Sequence, residues 1–162
     1  MQTQGVTWLE DKHTKDHLFL KTSENIKETH ARSRIDLRGS DFVMKWLDHN
    51  PHVKRWNSEC VVIPYFSNAD GKRRRYFMDF YVEMDNGVTY LWEVKPMKET
   101  LPPPKPANNN VHNKKKFVDA LYTYAVNIDK WKAANAAAKQ KGWEFKIITE
   151  DTLKRVFGWK GQ

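Results

Sequence analysis

The chain has 162 residues carrying 28 Lys and Arg against 20 Asp and Glu, a formal net charge of +8, with 40% hydrophobic and 13% aromatic residues and one cysteine. That is enough chain for one hydrophobic core, too little for two, and too aromatic for a disordered polymer. The lone Cys60 excludes a disulfide framework and a cysteine-based zinc site, no apolar run approaches membrane-spanning length, and the positive excess favours an acidic partner, most simply a nucleic-acid backbone.

Residues 1–38 are polar and charged, with a weak helical signal in TSENIKETHARSRI, and read as an arm or peripheral element. They show no signal-peptide core, which predicts a soluble, cytoplasmic protein, and His13 and His17, spaced as helical metal ligands, lack a carboxylate cluster beside them. In GSDFVMKWLDHNP, Ser40 is a plausible N-cap, Asp41 suits a first turn, Phe42/Trp46 and Val43/Leu47 are apolar pairs one turn apart, and Asn50-Pro51 ends the helix. Three strands follow, ECVVIPYF, RRRYFMDFYVEM and VTYLWEVK, joined by the turns SNADGK and DNG, which predicts an antiparallel meander.

The segment from about 96 to 116 is rich in proline, asparagine and lysine and reads as an exposed loop. Beyond it, KKKFVDALYTYAV and IDKWKAANAAAKQKG predict two helices divided at Asn127, with Gly142 as the stop, then a strand WEFKIIT and a short helix EDTLKRVFG. The fold class expected is therefore α/β, a mixed β-sheet built on an antiparallel meander and flanked by helices.

Charged residues break the apolar pattern at one place. Glu93 and Lys95 share a face of the YLWEVKPM strand, and Asp79 sits amid aromatic residues in the strand before it, where a carboxylate has no solvation reason to be. Two carboxylates from adjacent strands can hold Mg²⁺ through hard oxygen ligands and leave positions for water and a phosphate. A lysine beside them can orient the attacking water and offset charge growing on phosphorus. The same pattern also arises as a cross-strand ion pair on a solvated face, but here it lies in core-like strands of a basic chain.

The run YFMDFYVEMDNGVTYLWEVKP resembles the D…ExK core of the PD-(D/E)XK nuclease superfamily, with Met78 where many members carry proline. The flanking runs KWLDHNPHVKRWNSECVVIPY and NIDKWKAANAAAKQKGWEFKIITEDTL are similar to the head completion nucleases of T-even-type tailed phages, a branch similar to the endonuclease subunit of heteromeric transposases. The likeness spans about residues 33–157. It implies a restriction-endonuclease-like core in one nuclease domain over 39–162, and Mg²⁺-dependent phosphodiester hydrolysis, with Mn²⁺ expected to substitute, on packaged double-stranded phage DNA during head completion and head–tail joining. Portal or neck proteins of the head would be the partners, and the infected cell, with or without the virion, the location. The resemblance makes Asp79 and Glu93 metal ligands, the Val94 carbonyl a further ligand, and Lys95 the group that positions water. The family's helix glutamate falls at Ser40, which leaves the neighbouring Asp41 to serve as that acid or as a helix-start charge favoured by the dipole.

Two basic runs stand beside these motifs. Lys72, Arg73, Arg74 and Arg75 open the Asp79 strand, and Lys114, Lys115 and Lys116 open a helix, so both are candidates to grip phosphates or simply to face water. No base-reading motif is present, and Tyr122, Tyr124, Trp131 and Trp143 fall at core spacing. A rival reading is a nonenzymatic DNA-binding virion or connector protein on a nuclease-like fold, which would have no use for two carboxylates facing a phosphate backbone. The chemistry also dictates a register. A two-residue NG turn would put Asp79 opposite Val94, whereas a three-residue loop at 85–87 with Gly87 left-handed pairs Met84 with Val88, Asp79 with Glu93 and Phe77 with Lys95.

Overall fold

A computed structural model of the protein describes residues 7–8, 34–108 and 110–160, and of 7–8 and 34–38 the backbone only. His13, His17 and most of TSENIKETHARSRI lie outside the described residues. Helix α1 spans Arg34–His49, β2 Val53–Ser58, β3 Val61–Ser67, β4 Lys72–Phe77, β5 Phe80–Met84, β6 Thr89–Val94, α2 Val111–Gln140, β7 Glu144–Ile148 and α3 Glu150–Arg155; a short β1 at Thr7–Trp8 precedes them.

The strands form two sheets, ordered β1-β3-β4 and β2-β5-β6-β7. β3 pairs antiparallel with β4, and β5 antiparallel with both β2 and β6, while β7 returns through α2 to lie parallel to β6, with Val94 opposite Ile148, the long crossover that parallel pairing requires. The meander and the mixed sheet are therefore present. Helix α2 covers one side, where Val126, Trp131 and Ala134 meet Ile63, Tyr76 and Leu91. Helices α1 and α3 cover the other, where Val43, Leu47 and Leu153 meet Phe80, Val82, Trp92 and Val94.

Three expectations about elements are corrected. Helix α1 starts at Arg34, so Ser40 is interior and not its N-cap; burial of Gly39, Val43 and Leu47 on one stripe outweighs the poor helix propensity of Gly39-Ser40. The two helices expected around Asn127 are one 30-residue helix, capped by the Asn110 side chain on Asn113 N–H at 2.8 Å, in which Asn127 is buried. The loop after β6 accordingly ends at Asn110, and Lys114–Lys116 are already helical. Of the four aromatics expected in the core, Tyr122 is instead 42% exposed.

The third correction shapes the site. The expected single strand RRRYFMDFYVEM breaks at Met78-Asp79 into β4 and β5, which belong to different sheets. Across the break the partner strand gains one residue: Ser58 faces Phe80, Val62 faces Phe77, and Glu59 sits between in a left-handed conformation, φ 54°. This is a β-bulge, and it rotates the chain. Tyr76 and Met78 face α2, yet two residues on Phe80 faces α1 and Tyr81 has taken over the α2 side. Asp79 stands at the turnover.

Candidate active site

The β5–β6 register carries Asp79 to its partner. Phe80 pairs with Trp92 and Glu83 with Thr89; Met84 N–H bonds Val88 O at 2.9 Å around the three-residue loop, and Gly87 has φ 84°. The three-residue reading of the loop is therefore right, and the next rung beyond Phe80–Trp92 sets Asp79 opposite Glu93. Asp79 Oδ2 accepts a hydrogen bond from Val94 N–H at 2.8 Å, a side-chain contact that pins the carboxylate to β6. The expected rung between Phe77 and Lys95 is not made: β4 has turned away to pair Phe77 with Val62, and Lys95 N–H bonds Ile148 O on the far side.

Glu93 is 4% exposed and has Lys95 Nζ 3.6 Å from Oε1, while Oε2 is buried and makes no hydrogen bond. Burial, then the charge of Asp79, push its carboxyl up to about 8 against the opposing pull of Lys95. Tyr76 crowds the same spot: its phenol is raised well above its ordinary value by burial and then by Glu93 and Asp79, and its hydroxyl reaches no acceptor at bonding geometry. A folded chain rarely buries carboxylate oxygen without a partner. Two oxygen donors held together under this electrostatic stress form a donor set for a hard divalent cation, which would satisfy Oε2 and offset the like charges. Among the described residues no three His, Cys, Asp or Glu side chains cluster; the Val94 carbonyl, next in the chain to Glu93, is a backbone oxygen that could add to the set.

The structure brings Asp79, Glu93, Val94 and Lys95 together and leaves Asp41 elsewhere. Asp41 is exposed in the middle of α1, about 200° around the helix from the buried Gly39. Of the basic residues, Lys72, Arg73 and Arg75 and all of Lys114, Lys115 and Lys116 are exposed. Arg74 is half-buried and paired with Asp70, whose Oδ2 also accepts from Tyr122 Oη at 3.2 Å. Asp129 takes two more bonds from Asn68, at 2.7 and 2.9 Å. These ties fasten the β3–β4 hairpin tip to α2, so both basic runs flank one part of the molecule, with Lys116 about 9 Å along the helix from Tyr122.

Comparison with known proteins agrees with this geometry. Residues 50–150 match the family described as TnsA-like endonuclease N terminal, a PD-(D/E)XK-type nuclease family. The chain belongs to this family. It is also 51% identical over 120 residues to the head completion nuclease of Enterobacteria phage T4, a match that covers 74% of this chain and 79% of that protein. No solved structure matches the chain.

The packing of α1 gives Gly39 a meaning that sequence reading missed. A Cβ on Gly39 would lie 3.1 Å from Val94 Cγ1 and 3.1 Å from Leu153 Cδ1, so glycine lets α1 press onto β6 beside the site. Val43 and Leu47 belong to the core cluster that holds Trp92, Val82 and Val94. Asp36 occupies the position three before Gly39 and seven before Val43, at the same helical phase. The signal was the GxxxV/L spacing in the sequence, readable only once the helix start is known to be Arg34.

Proposed function

We propose that this protein is a Mg²⁺-dependent DNA nuclease that acts on double-stranded phage DNA during head completion. The observation that carries the proposal is the buried, unpartnered Glu93 Oε2 beside Asp79 and Lys95 at the bulged end of β5, in a chain of the TnsA-like endonuclease family and half identical to a head completion nuclease. Asp79, Glu93 and the Val94 carbonyl would hold the cation, with Asp36 rather than Asp41 supplying the helix acid. Bound there, Mg²⁺ would acidify a water and withdraw charge from the phosphate. Lys95, whose Nζ lies 3.6 Å from Glu93 Oε1, would orient the attacking water and offset negative charge as the new P–O bond forms and one ester P–O bond breaks, the water's proton passing to solvent and the leaving oxygen taking one up. Lys72, Arg73, Arg75 and Lys114–Lys116 grip the flanking phosphates, and Arg74 holds the hairpin through Asp70. Portal or neck proteins would deliver the filled head, within the infected cell; no described helix is long and apolar enough to cross a membrane.

The test is incubation of supercoiled plasmid and linear duplex with the protein, with and without Mg²⁺, where cleavage confined to the Mg²⁺ arm is expected and plasmid nicking would identify internal cutting. At limiting Mg²⁺, Asp36→Asn is expected to lose activity that saturating metal restores, while Asp41→Ala titrates like the native protein. The opposite pattern returns the helix acid to Asp41.

A further inference from the structure

The β3–β4 arm has two faces of opposite character. Val61, Ile63, Tyr65 and Tyr76 point inward to α2 and are buried. The outward face is made by the cross-strand pairs Val62–Phe77, Pro64–Arg75 and Phe66–Arg73. On that face Phe66 is 53% exposed, Arg73 and Arg75 are exposed, and the Arg75 guanidinium lies 5.7 Å from the centre of the Phe77 ring. A phenyl thus stands at each end of the face, Phe66 beside Arg73 and Phe77 beyond Arg75, over about 14 Å from Arg73 to Phe77, and β4 runs on through Met78 into Asp79.

An exposed phenyl on a strand face adds nothing to the arm's own core, since Phe66 points away from it. Two arginines on the same face exclude an apolar partner of the ordinary kind but match a chain in which phosphates and flat rings alternate. Duplex DNA keeps its base faces stacked inside the helix and offers the phenyl no surface; unpaired nucleotides offer one each. We propose that the outward face of the β3–β4 arm binds a single-stranded segment of the nucleic-acid substrate, with Phe66 and Phe77 stacking on bases and Arg73 and Arg75 on phosphates. This rests on the nuclease reading for the identity of the polymer, and it directs cutting to frayed, gapped or branched DNA, where an unpaired strand lies next to a duplex.

Binding is measured in EDTA, where no hydrolysis interferes, by fluorescence anisotropy with a labelled oligo-dT and with a blunt duplex. Phe66→Ala is expected to weaken oligo-dT binding about ten-fold with its salt slope unchanged, and to leave the blunt duplex alone. Arg73→Gln is expected to lower the slope of log affinity against log salt by about 0.7. In the native protein, photolysis of an oligonucleotide carrying 5-iododeoxyuridine is expected to crosslink to Phe66 or Phe77, located by mass spectrometry. An unchanged oligo-dT affinity in Phe66→Ala, an equal loss on blunt duplex, or crosslinks confined to residues off the arm would each overturn the proposal. So would a dimer in sedimentation that Phe66→Ala converts to monomer without changing oligo-dT affinity, since the face would then join two copies of the chain. Because none of these readouts needs Mg²⁺ or turnover, a protein that binds as expected but cleaves nothing would defeat the nuclease reading and leave this one standing.

Discussion

Glu83 and Glu93 lie on neighbouring strands of the same sheet, on the same side of it, and are treated in opposite ways. Glu83 is held by Lys54 Nζ at 2.9 Å and Arg55 Nε at 2.6 Å. Lys54, then Arg55, pull its carboxyl below the usual range against the effect of burial. Glu93 is surrounded by Tyr76, Asp79 and a single lysine at 3.6 Å, has one oxygen without a partner, and is pushed up to about 8. Glu83 has the partners of an ion pair that stabilises the fold. Glu93 is kept short of them, and a fold tolerates such a residue where the missing partner arrives with the function.

The strongest way to test that contrast is to replace each acid by its amide. Glu93→Gln, Asp79→Asn and Lys95→Ala are each expected to lower Mg²⁺-dependent cleavage by roughly a thousandfold or more, because the members of a hydrolytic metal site act as a unit. Glu93→Gln should do so without lowering the thermal midpoint, since it replaces a buried acid that lacks a full set of hydrogen-bond partners. A Glu93→Gln protein that cleaves normally, or that unfolds well below the native protein, would make Glu93 a structural residue like Glu83.

A second variant attacks the packing that holds the site strand. Gly39→Val would drive a side chain into Val94 and Leu153, both essentially fully buried and unable to yield. Overpacking of this kind costs about 1–3 kcal/mol, enough to outweigh any gain in helix propensity. Chemical denaturation should show the loss, and cleavage should fall with it because the displaced strand carries the Val94 carbonyl. Unchanged stability would mean that α1 can move away freely and does not set the position of β6.

The register that places Glu83 opposite Thr89 and Asp79 opposite Glu93 depends on Gly87. Nothing lies within 4 Å of a Cβ built there, so the expected cost of Gly87→Val is conformational: about 1–2 kcal/mol for a β-branched residue at φ 84°. A urea midpoint equal to that of the native protein would show the loop adopting another turn without penalty.

That register was legible in the sequence because chemistry and turn geometry constrained each other: of the two- and three-residue loops, only the three-residue one lets Asp79 and Glu93 share a face. The Asp79–Glu93–Lys95 set was legible for a related reason, since charge in an aromatic strand needs a cause. The break at Met78-Asp79 was hidden, because RRRYFMDFYVEM has unbroken strand propensity and the bulge that bends it lies on the partner strand, at Glu59, a residue type with no preference for the left-handed region. The start of α1 was hidden as well. Gly39-Ser40 looks like a boundary to local propensity, and only the tertiary contact with Val94 makes glycine the fitting residue inside the helix. Asp41 was placed in a first helical turn for the same reason; with the helix running from Arg34 it stands exposed in mid-helix, away from the side of Gly39.

The smallest expected effect completes the comparison between the two glutamates. The Glu83 side chain is 16% exposed but Lys54 and Arg55 are 65% and 63% exposed, so water screens the pair and Glu83→Gln should cost only about 0.5–1 kcal/mol near neutral pH. Its pH dependence has a definite sign. The folded carboxyl titrates below its ordinary 4.5, so the stabilisation is fully present above that value, where both states are ionised, and is lost as the pH falls through the lowered folded value. The gap between the native protein and Glu83→Gln, followed by urea denaturation, should hold steady from pH 7 to about 5 and close as the pH falls below 4.5. It should also shrink in 1 M salt, where the screening length is about 3 Å. Cleavage at pH 7 should be the same in both proteins. A gap that persists in acid would mean that Glu83 stabilises the sheet by packing and not by charge, and the contrast with Glu93 would then be one of shape.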